Sequence, residues 1–388
     1  MDTGRMRFGV FLPPYHGRKE NPSLSLHRDL WLTEWVDKLG FDEIWVGEHH
    51  SAAFENIGSP ELFIATAAER TKRIRLGTGV VSLPYHNPLM LAERINYLDH
   101  VTRGRVMLGV GPGALPSDAY MQGIPIDRLR PRMDEALDVL IPLLRGEVVN
   151  AETDWFTLRE ARMHMDPWSR PSVEMAVASL VSPSGAVAAG KHGLGMLSIQ
   201  ALGTQAMSAL ADNWAMAEET ARKHGKTVDR SKWRLVVQMH LAESREQALR
   251  DCRFGLEQWM GYFRDVAQLP LLPENIKGDD LVEAYADLDV AVIGTPDDAI
   301  ATIERLQQVT GGFGCVMLLA HDWANTRATE ASYELFARYV IPHFQQLNIN
   351  REASIEWVMR MRPELGRQAG DAVAKRIAQH EAETGGKK

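Results

Sequence analysis

The feature that most constrains the fold is a serial alternation of eight short apolar runs with longer, mostly amphipathic segments. The runs are RFGVFLP (7–13), EIWVGEH (43–49), IRLGTGVVSLP (74–84), GRVMLGVGPG (104–113), VEMAVAS (173–179), GLGMLSIQ (193–200), WRLVVQMHLA (233–242) and GCVMLLAH (314–321). They are near-continuous in apolar residues, as expected of parallel strands buried on both faces. Helices are expected near 26–39 (closed by Gly40), 183–192, 204–224, 245–266 and 328–347. Others open on Ser59-Pro60, Asn87-Pro88 and Thr295-Pro296, a cap residue before a proline preset for the first turn. Eight strand-then-helix units predict an α/β chain folded as a (β/α)8 TIM barrel. The rival, a doubly wound open sheet, usually stops at about six strands. Insertions at 147–171 and at QLPLLPENIKGDD interrupt the rhythm. Residues 1–348 are expected to form the barrel, and 349–388 a charged helical tail.

Composition narrows the partners. A net charge of −8 argues against nucleic acid or an anionic membrane as the main partner. No run approaches the roughly 20 apolar residues of a membrane helix, and the opening stretch is too short for a secretory signal. The two cysteines, Cys252 and Cys315, form no metal or redox spacing and suit a reducing compartment. The expectation is a soluble cytoplasmic protein.

In a barrel of this kind the active site lies at the carboxyl ends of the strands. Those tips carry Pro13-Pro14-Tyr15, Glu48-His49-His50, Gly79-Val80-Val81-Ser82, Gly111-Pro112-Gly113, Ser179 with Ser182 and Ser184, Ser198 to Gln200, Gln238 to His240, and His321-Asp322. A metal is not expected: there is no H-x-H or H-E-x-x-H, and His49 and His50 point to opposite faces of an extended strand. His240 and His321 lack a carboxylate set spaced to complete a cluster with them. His50 reads as a packed or hydrogen-bonded neighbour, while His49 stays open between a site role and a satisfied core histidine. GVGPG lets a backbone approach a flat or charged ligand, although it is not a dinucleotide fingerprint. VSPSG (181–185) puts hydroxyls and free amides at a helix start, which suits either a phosphate or plain capping. GTGVV reads as a ligand-facing strand or as close packing. Together these tips favour a phosphate-bearing planar cofactor over a bare metal.

The stretch EHHSAAFENIGSPELFIATAAERTKRIRLGTGVVSLPYHNPLMLAERINYLDHVTRGRVMLGVGPG strongly resembles the bacterial luciferase-like, flavin-dependent monooxygenases. The carriers are E-H after strand two, G-T-x-x-x-x-L-P-x-x-x-P after strand three and G-R-x-x-x-G-x-G-x-G at strand four. IGTPDDAIATIERLQQVTGGFG is similar to the family's late signature, and the similarity runs over about 6–347. ENIGSPEL and HDWANTRATEASYELFARYVIPHF resemble the terpenoid-oxidising branch, with limonene and diketocamphane monooxygenases.

The resemblance implies a barrel that binds reduced FMN supplied by a separate NAD(P)H flavin reductase. Oxygen would add to the flavin to give a peroxide, which oxygenates an organic substrate. It implies His49 as the residue assisting that chemistry, with Glu48 beside it as orienter. Gly79 and Val80 match a place where a non-proline cis peptide often underlies the flavin ring. Gly111 and Gly113 match the strand-four loop near the cofactor. Ser182 and Ser184 match the phosphate-binding helix start, with Ser179 close by. Pro112 stands where a basic phosphate contact occurs in luciferase, so that contact must come from elsewhere. A homodimer is also implied.

Such chemistry needs a dry pocket, for which Phe11, Tyr15, Trp45, Phe54, Trp155, Trp259 and Phe263 are candidate walls. A histidine near neutral pKa could donate a hydrogen bond and return a proton. The expected reaction is oxygenation of a small hydrophobic molecule, a cyclic terpene: epoxidation of an alkene or oxygen insertion beside a ketone. The alternatives are a deazaflavin-dependent oxidoreductase of the same superfamily and a non-catalytic flavin-binding subunit. Substrate choice is expected to depend on the loops at 13–25, 147–171 and 266–290.

Overall fold

In the computed structural model, eight parallel strands close into a ring. They are β1 (Arg7–Leu12), β2 (Glu43–Val46), β3 (Arg75–Thr78), β4 (Val106–Gly111), β5 (Glu174–Ser179), β6 (Gly195–Ser198), β7 (Trp233–Val237) and β8 (Cys315–Leu319). Each pairs with its sequence neighbours, β3 joins β4 through Leu76 and Val106, and β8 returns to β1 from Arg7↔Cys315 to Phe11↔Leu319. This is the expected (β/α)8 barrel. The structure describes residues 5–13, 15–180, 182–266, 276 and 279–385. Pro14, Val181 and most of QLPLLPENIKGDD therefore lie outside the described residues. No helix among the described residues is long and apolar enough to cross a membrane.

Local chemistry sets the helix starts. Asn87 accepts from the amides of Leu89 and Met90 ahead of α3 (Pro88–Thr102), and Asn21 does the same for α1 (Pro22–Leu39). Thr295 and Asp298 form a reciprocal capping box before Pro296–Thr310. Ser59 differs from expectation: its hydroxyl donates to Glu61 at 3.0 Å rather than capping α2 (Pro60–Arg70).

Two predicted elements are broken, each for a steric or pairing reason. The seventh apolar run leaves the ring at Gln238, and Met239–Leu241 pairs instead with Val292–Gly294. The helix expected over 245–266 divides into Arg245–Cys252 and Leu256–Asp265. Gly255, between them, presses against the backbone of Asp322, where an added Cβ would sit 1.9 Å from its carbonyl oxygen. The excursion at 147–171 contains an antiparallel hairpin, Val149–Glu152 with Thr157–Ala161.

The amino-terminal end of the barrel is closed by charge. Arg234, fully buried, donates to Glu43 at 2.6 Å and to Glu174 at 2.5 Å, and Arg75 reaches Glu174 at 2.8 Å. Burial alone would push the carboxyls up, but the guanidiniums hold Glu43 below its usual range and Glu174 at about 2. Above this layer the Trp45 indole lies over Arg234 at 4.7 Å and donates to Glu43 at 2.8 Å. Trp45 is therefore core and not a pocket wall. Two glycines make room for it, since a Cβ on Gly77 or Gly109 would fall 2.6 or 2.9 Å from the ring. The packing reading of the GTG turn thus accounts for Gly77.

The chain divides into two compact units, Met1–Ile341 and Pro342–Lys388. The second consists mainly of one helix of 36 residues, Ile349–Thr384.

Candidate active site

At the carboxyl ends of the strands, β2 ends at Val46 and the chain turns through Gly47 into Glu48, His49 and His50. His49 lies between two carboxylates. Its Nδ1 is 3.0 Å from Asp118 and its Nε2 is 3.3 Å from Glu55. Asp118 also accepts from the His50 amide at 3.1 Å and the Ser51 hydroxyl at 2.5 Å. Glu55 accepts in turn from the Tyr262 hydroxyl at 2.7 Å. Burial disfavours a charged imidazole, but Glu55 and Asp118 outweigh it and raise the His49 pKa to about 9. A carboxylate at each ring nitrogen favours the doubly protonated ring. The expectation of a near-neutral histidine is corrected upward.

Glu48 serves a different group. Its Oε1 accepts from His50 at 2.7 Å and His86 at 2.8 Å, and its Oε2 accepts from the Ser82 amide at 2.8 Å. Arg94, a pure donor, faces His86 Nδ1 at 3.2 Å, so the His86 proton sits on Nε2 and goes to Glu48. The orienter expected of Glu48 is therefore not made: it braces β2 against the loop after β3, and Asp118 and Glu55 hold His49. His50 has the supporting place expected of it.

The peptide between Gly79 and Val80 is cis, where the resemblance placed one. Val81 and Ser82 then pair with Val110 and Gly111. Gly111 faces the Val80 side chain, where a Cβ would be 2.7 Å from a methyl. Gly113, at φ +92°, faces the Tyr85 hydroxyl, which is buried without a partner among the described residues. Ser182 and Ser184 lie 3.1 Å apart at the start of Ser184–His192, and Arg130 donates to the Ser184 hydroxyl. Ser179 is buried at the β5 tip, its hydroxyl 3.4 Å from the Leu180 carbonyl. Two hydroxyls, a helix start and a guanidinium suit a phosphate. The unpartnered Tyr85 hydroxyl suits a ligand's polar edge. The residues present fit an FMN-like group.

Aromatic side chains cluster around Tyr262, the partner of Glu55. Tyr15 stacks on Phe54 at 5.5 Å, Phe54 meets Tyr262 at 5.1 Å, and Trp259 meets Phe263 at 4.3 Å. Trp155 is elsewhere, on the outer hairpin, donating to Glu135 at 2.6 Å. His321 stacks on Trp323 at 3.8 Å and bonds the Met239 carbonyl at 3.0 Å, and burial pushes its pKa down to about 3. Among the described residues, no group of three or more His, Cys, Asp or Glu is arranged to hold a metal.

Residues 6–311 match the family model described as luciferase-like monooxygenase. The chain belongs to the luciferase-like monooxygenases. It is 46% identical to limonene 1,2-monooxygenase of Rhodococcus erythropolis, over 91% of this chain and 93% of that one. It is also 46% identical to 4-hydroxyprotoasukamycin monooxygenase of Streptomyces nodosus subsp. asukaensis, over 91% and 96%. The oxygenating constituent of 3,6-diketocamphane monooxygenase of Pseudomonas putida, a type II Baeyer–Villiger enzyme solved with FMN, superposes with a TM-score of 0.73. It shares 27% identity over 87% of this chain and 98% of that one. This luciferase-like chain is accordingly a flavin-dependent monooxygenase.

Sequence reading missed several residues that frame this candidate site. Asp118, Glu55 and Tyr262 surround His49, and Arg130 joins the serines where Pro112 offers no charge. Only Glu55 lay in a quoted motif, ENIGSPEL. The others sit in helices and loops with no pattern that marks them.

Proposed function

We propose that this luciferase-like monooxygenase binds reduced FMN, delivered by a separate NAD(P)H flavin reductase, and oxygenates a small hydrophobic molecule, a cyclic terpene. Reduced FMN, when bound, supplies the electrons that activate O2. Ser182, Ser184 and Arg130 would hold its phosphate, with Ser179 near. Gly79, Val80, Gly111 and Gly113 would lie against its ring system. Tyr15, Phe54, Tyr262 and Phe263 exclude water from the reacting side.

One observation carries the reading: His49 stands between two carboxylates, Asp118 at 3.0 Å and Glu55 at 3.3 Å, at the carboxyl mouth of the barrel. An alkene needs an electrophilic, protonated oxygen donor, whereas a ketone needs an anionic one. A hydrogen bond from His49 can serve either donor, so the epoxidation proposed rests on the name of the limonene relative. The two 46% relatives carry names with different substrates, and the terpene rests on the first of them. Exposed Leu62, Met90 and Tyr97 on α2 and α3 support a homodimer.

The test mixes purified protein with chemically reduced FMN and limonene, admits oxygen, and follows both absorbance and product. A flavin transient followed by an epoxide is expected. A lactone from a cyclic ketone in place of the epoxide would reverse the substrate assignment. Tight deazaflavin binding with no transient would overturn the monooxygenation itself.

A further inference from the structure

Tyr262, Glu55, His49 and Asp118 form one string across the barrel mouth: Tyr262 donates to Glu55, an ion-pair contact of 3.3 Å joins Glu55 to His49 Nε2, and His49 Nδ1 bonds Asp118. Its members come from the helix Leu256–Asp265, the loop after β2 and the short helix Pro116–Met121. We propose that Glu55 is a positioning residue for His49: its carboxylate, in ion-pair contact with Nε2, draws that edge of the ring toward it in the resting site and gives way to the reacting oxygen. The proposal deepens the functional reading above and rests on it.

The two carboxylates are not equivalent. Asp118 is fixed by two further donors, the His50 amide and the Ser51 hydroxyl, so its 3.0 Å contact to Nδ1 sets the ring plane. Glu55 stands farther off, 3.3 Å from Nε2, and its other oxygen is held by one phenol. A longer contact with fewer supports is the one a better-placed acceptor displaces. Nδ1 stays on Asp118 while Nε2 is free to change partner, and the proton stays on His49 throughout.

The backbone is built to bring Glu55 back over His49. Ala52 and Ala53 both take left-handed torsions, φ 67° and 59°, which residues with a Cβ adopt only where the fold requires it. The turn is tied by the His49 amide to the Ile57 carbonyl at 3.2 Å and by an antiparallel bridge between Tyr15 and Glu55. Burial of Glu55 and Tyr262 keeps bulk water from competing for the string.

The test uses flavin-free, full-length protein and NMR of the histidine rings. The charged and titratable groups facing His49 are Glu55, Asp118 and Glu48, with His50 and Tyr262 adjoining. In the native protein both His49 ring N–H protons are expected to be protected from exchange. In Glu55→Gln the Nε2–H protection is lost, the Nδ1–H protection stays, and His49 proton affinity falls at least tenfold. Should that variant fail to fold, Tyr262→Phe decides: it keeps both carboxylates but frees Glu55, and Nε2–H protection is again expected to be lost. A His49 proton affinity within twofold of native in folded Glu55→Gln overturns the proposal. So does unchanged Nε2–H protection in Tyr262→Phe when Glu55→Gln is unfolded. With reduced FMN and substrate, Glu55→Gln should lower kcat about tenfold with KM within twofold. A raised KM at unchanged kcat would assign Glu55 to substrate binding and overturn its positioning role. If native protein makes no oxygenated product while the ring protons shift as stated, the functional reading fails and Glu55's hold on His49 stands.

Discussion

Asp118 and His49, 69 residues apart, meet at 3.0 Å, and the ring is held by its Nδ1 with Nε2 turned toward Glu55. That relationship fixes which nitrogen can face a reactant. The first prediction follows from it. Asp118→Asn keeps the side-chain size but removes the charge, so His49 should lose proton affinity and aim. Product formed per FMN oxidised is expected to fall about 10- to 100-fold, as for a positioned hydrogen-bond donor deprived of its partner. Product and hydrogen peroxide assays run in parallel would read it, and unchanged coupling would remove Asp118 from the chemistry.

His49 also links stability to pH. Its folded pKa, about 9, lies above its unfolded value of 6.5. The protonated ring therefore contributes fully below about pH 6.5, and the contribution is lost as pH rises through 9. The size is on the order of 3 kcal/mol. Urea unfolding between pH 6 and roughly 9.5 should show this decline in the native protein and a flatter profile in His49→Asn. Parallel profiles would mean that the ring is neutral in the fold.

Arg130 should matter for the phosphate and not for the flavin ring. Arg130→Ala is expected to weaken FMN binding about 10- to 100-fold, the loss of one charge-assisted contact. Riboflavin, which has no phosphate, should bind the variant and the native protein alike. Fluorescence titration of both ligands distinguishes them, and equal losses would place Arg130 outside the phosphate site.

Gly77 and Trp45 should be energetically coupled. A Cβ on Gly77 would fall 2.6 Å from the indole, so Gly77→Ala overpacks the barrel interior and should cost about 1–3 kcal/mol. Trp45→Phe opens room for that methyl. Unfolding of both single variants and the double variant should give a coupling above roughly 1 kcal/mol. Additive losses would show that the backbone, and not the indole, demands the glycine.

The barrel was legible in the sequence because its determinants are local. Apolar runs without alternation, cap-and-proline pairs and the eightfold count each report on neighbouring residues. The strand tips followed from that count, and His49 with them. What failed was reach. The run 245–266 reads as one helix until Gly255 is seen against Asp322, and WRLVVQMHLA reads as one strand until its second half finds Val292–Gly294. Glu48 sits beside His49 in sequence, and adjacency suggested a partnership. Successive residues of extended chain point apart, and Glu48 turned to His50, His86 and Ser82.

By itself the sequence determined the fold class, the family and the strand ends at which the proposed site lies. Only the tertiary structure decided which groups surround His49. A histidine's protonation depends on how deeply it is buried and on which carboxylates stand within a few ångströms. Asp118 and Glu55 reach it from loops whose return path no local pattern encodes.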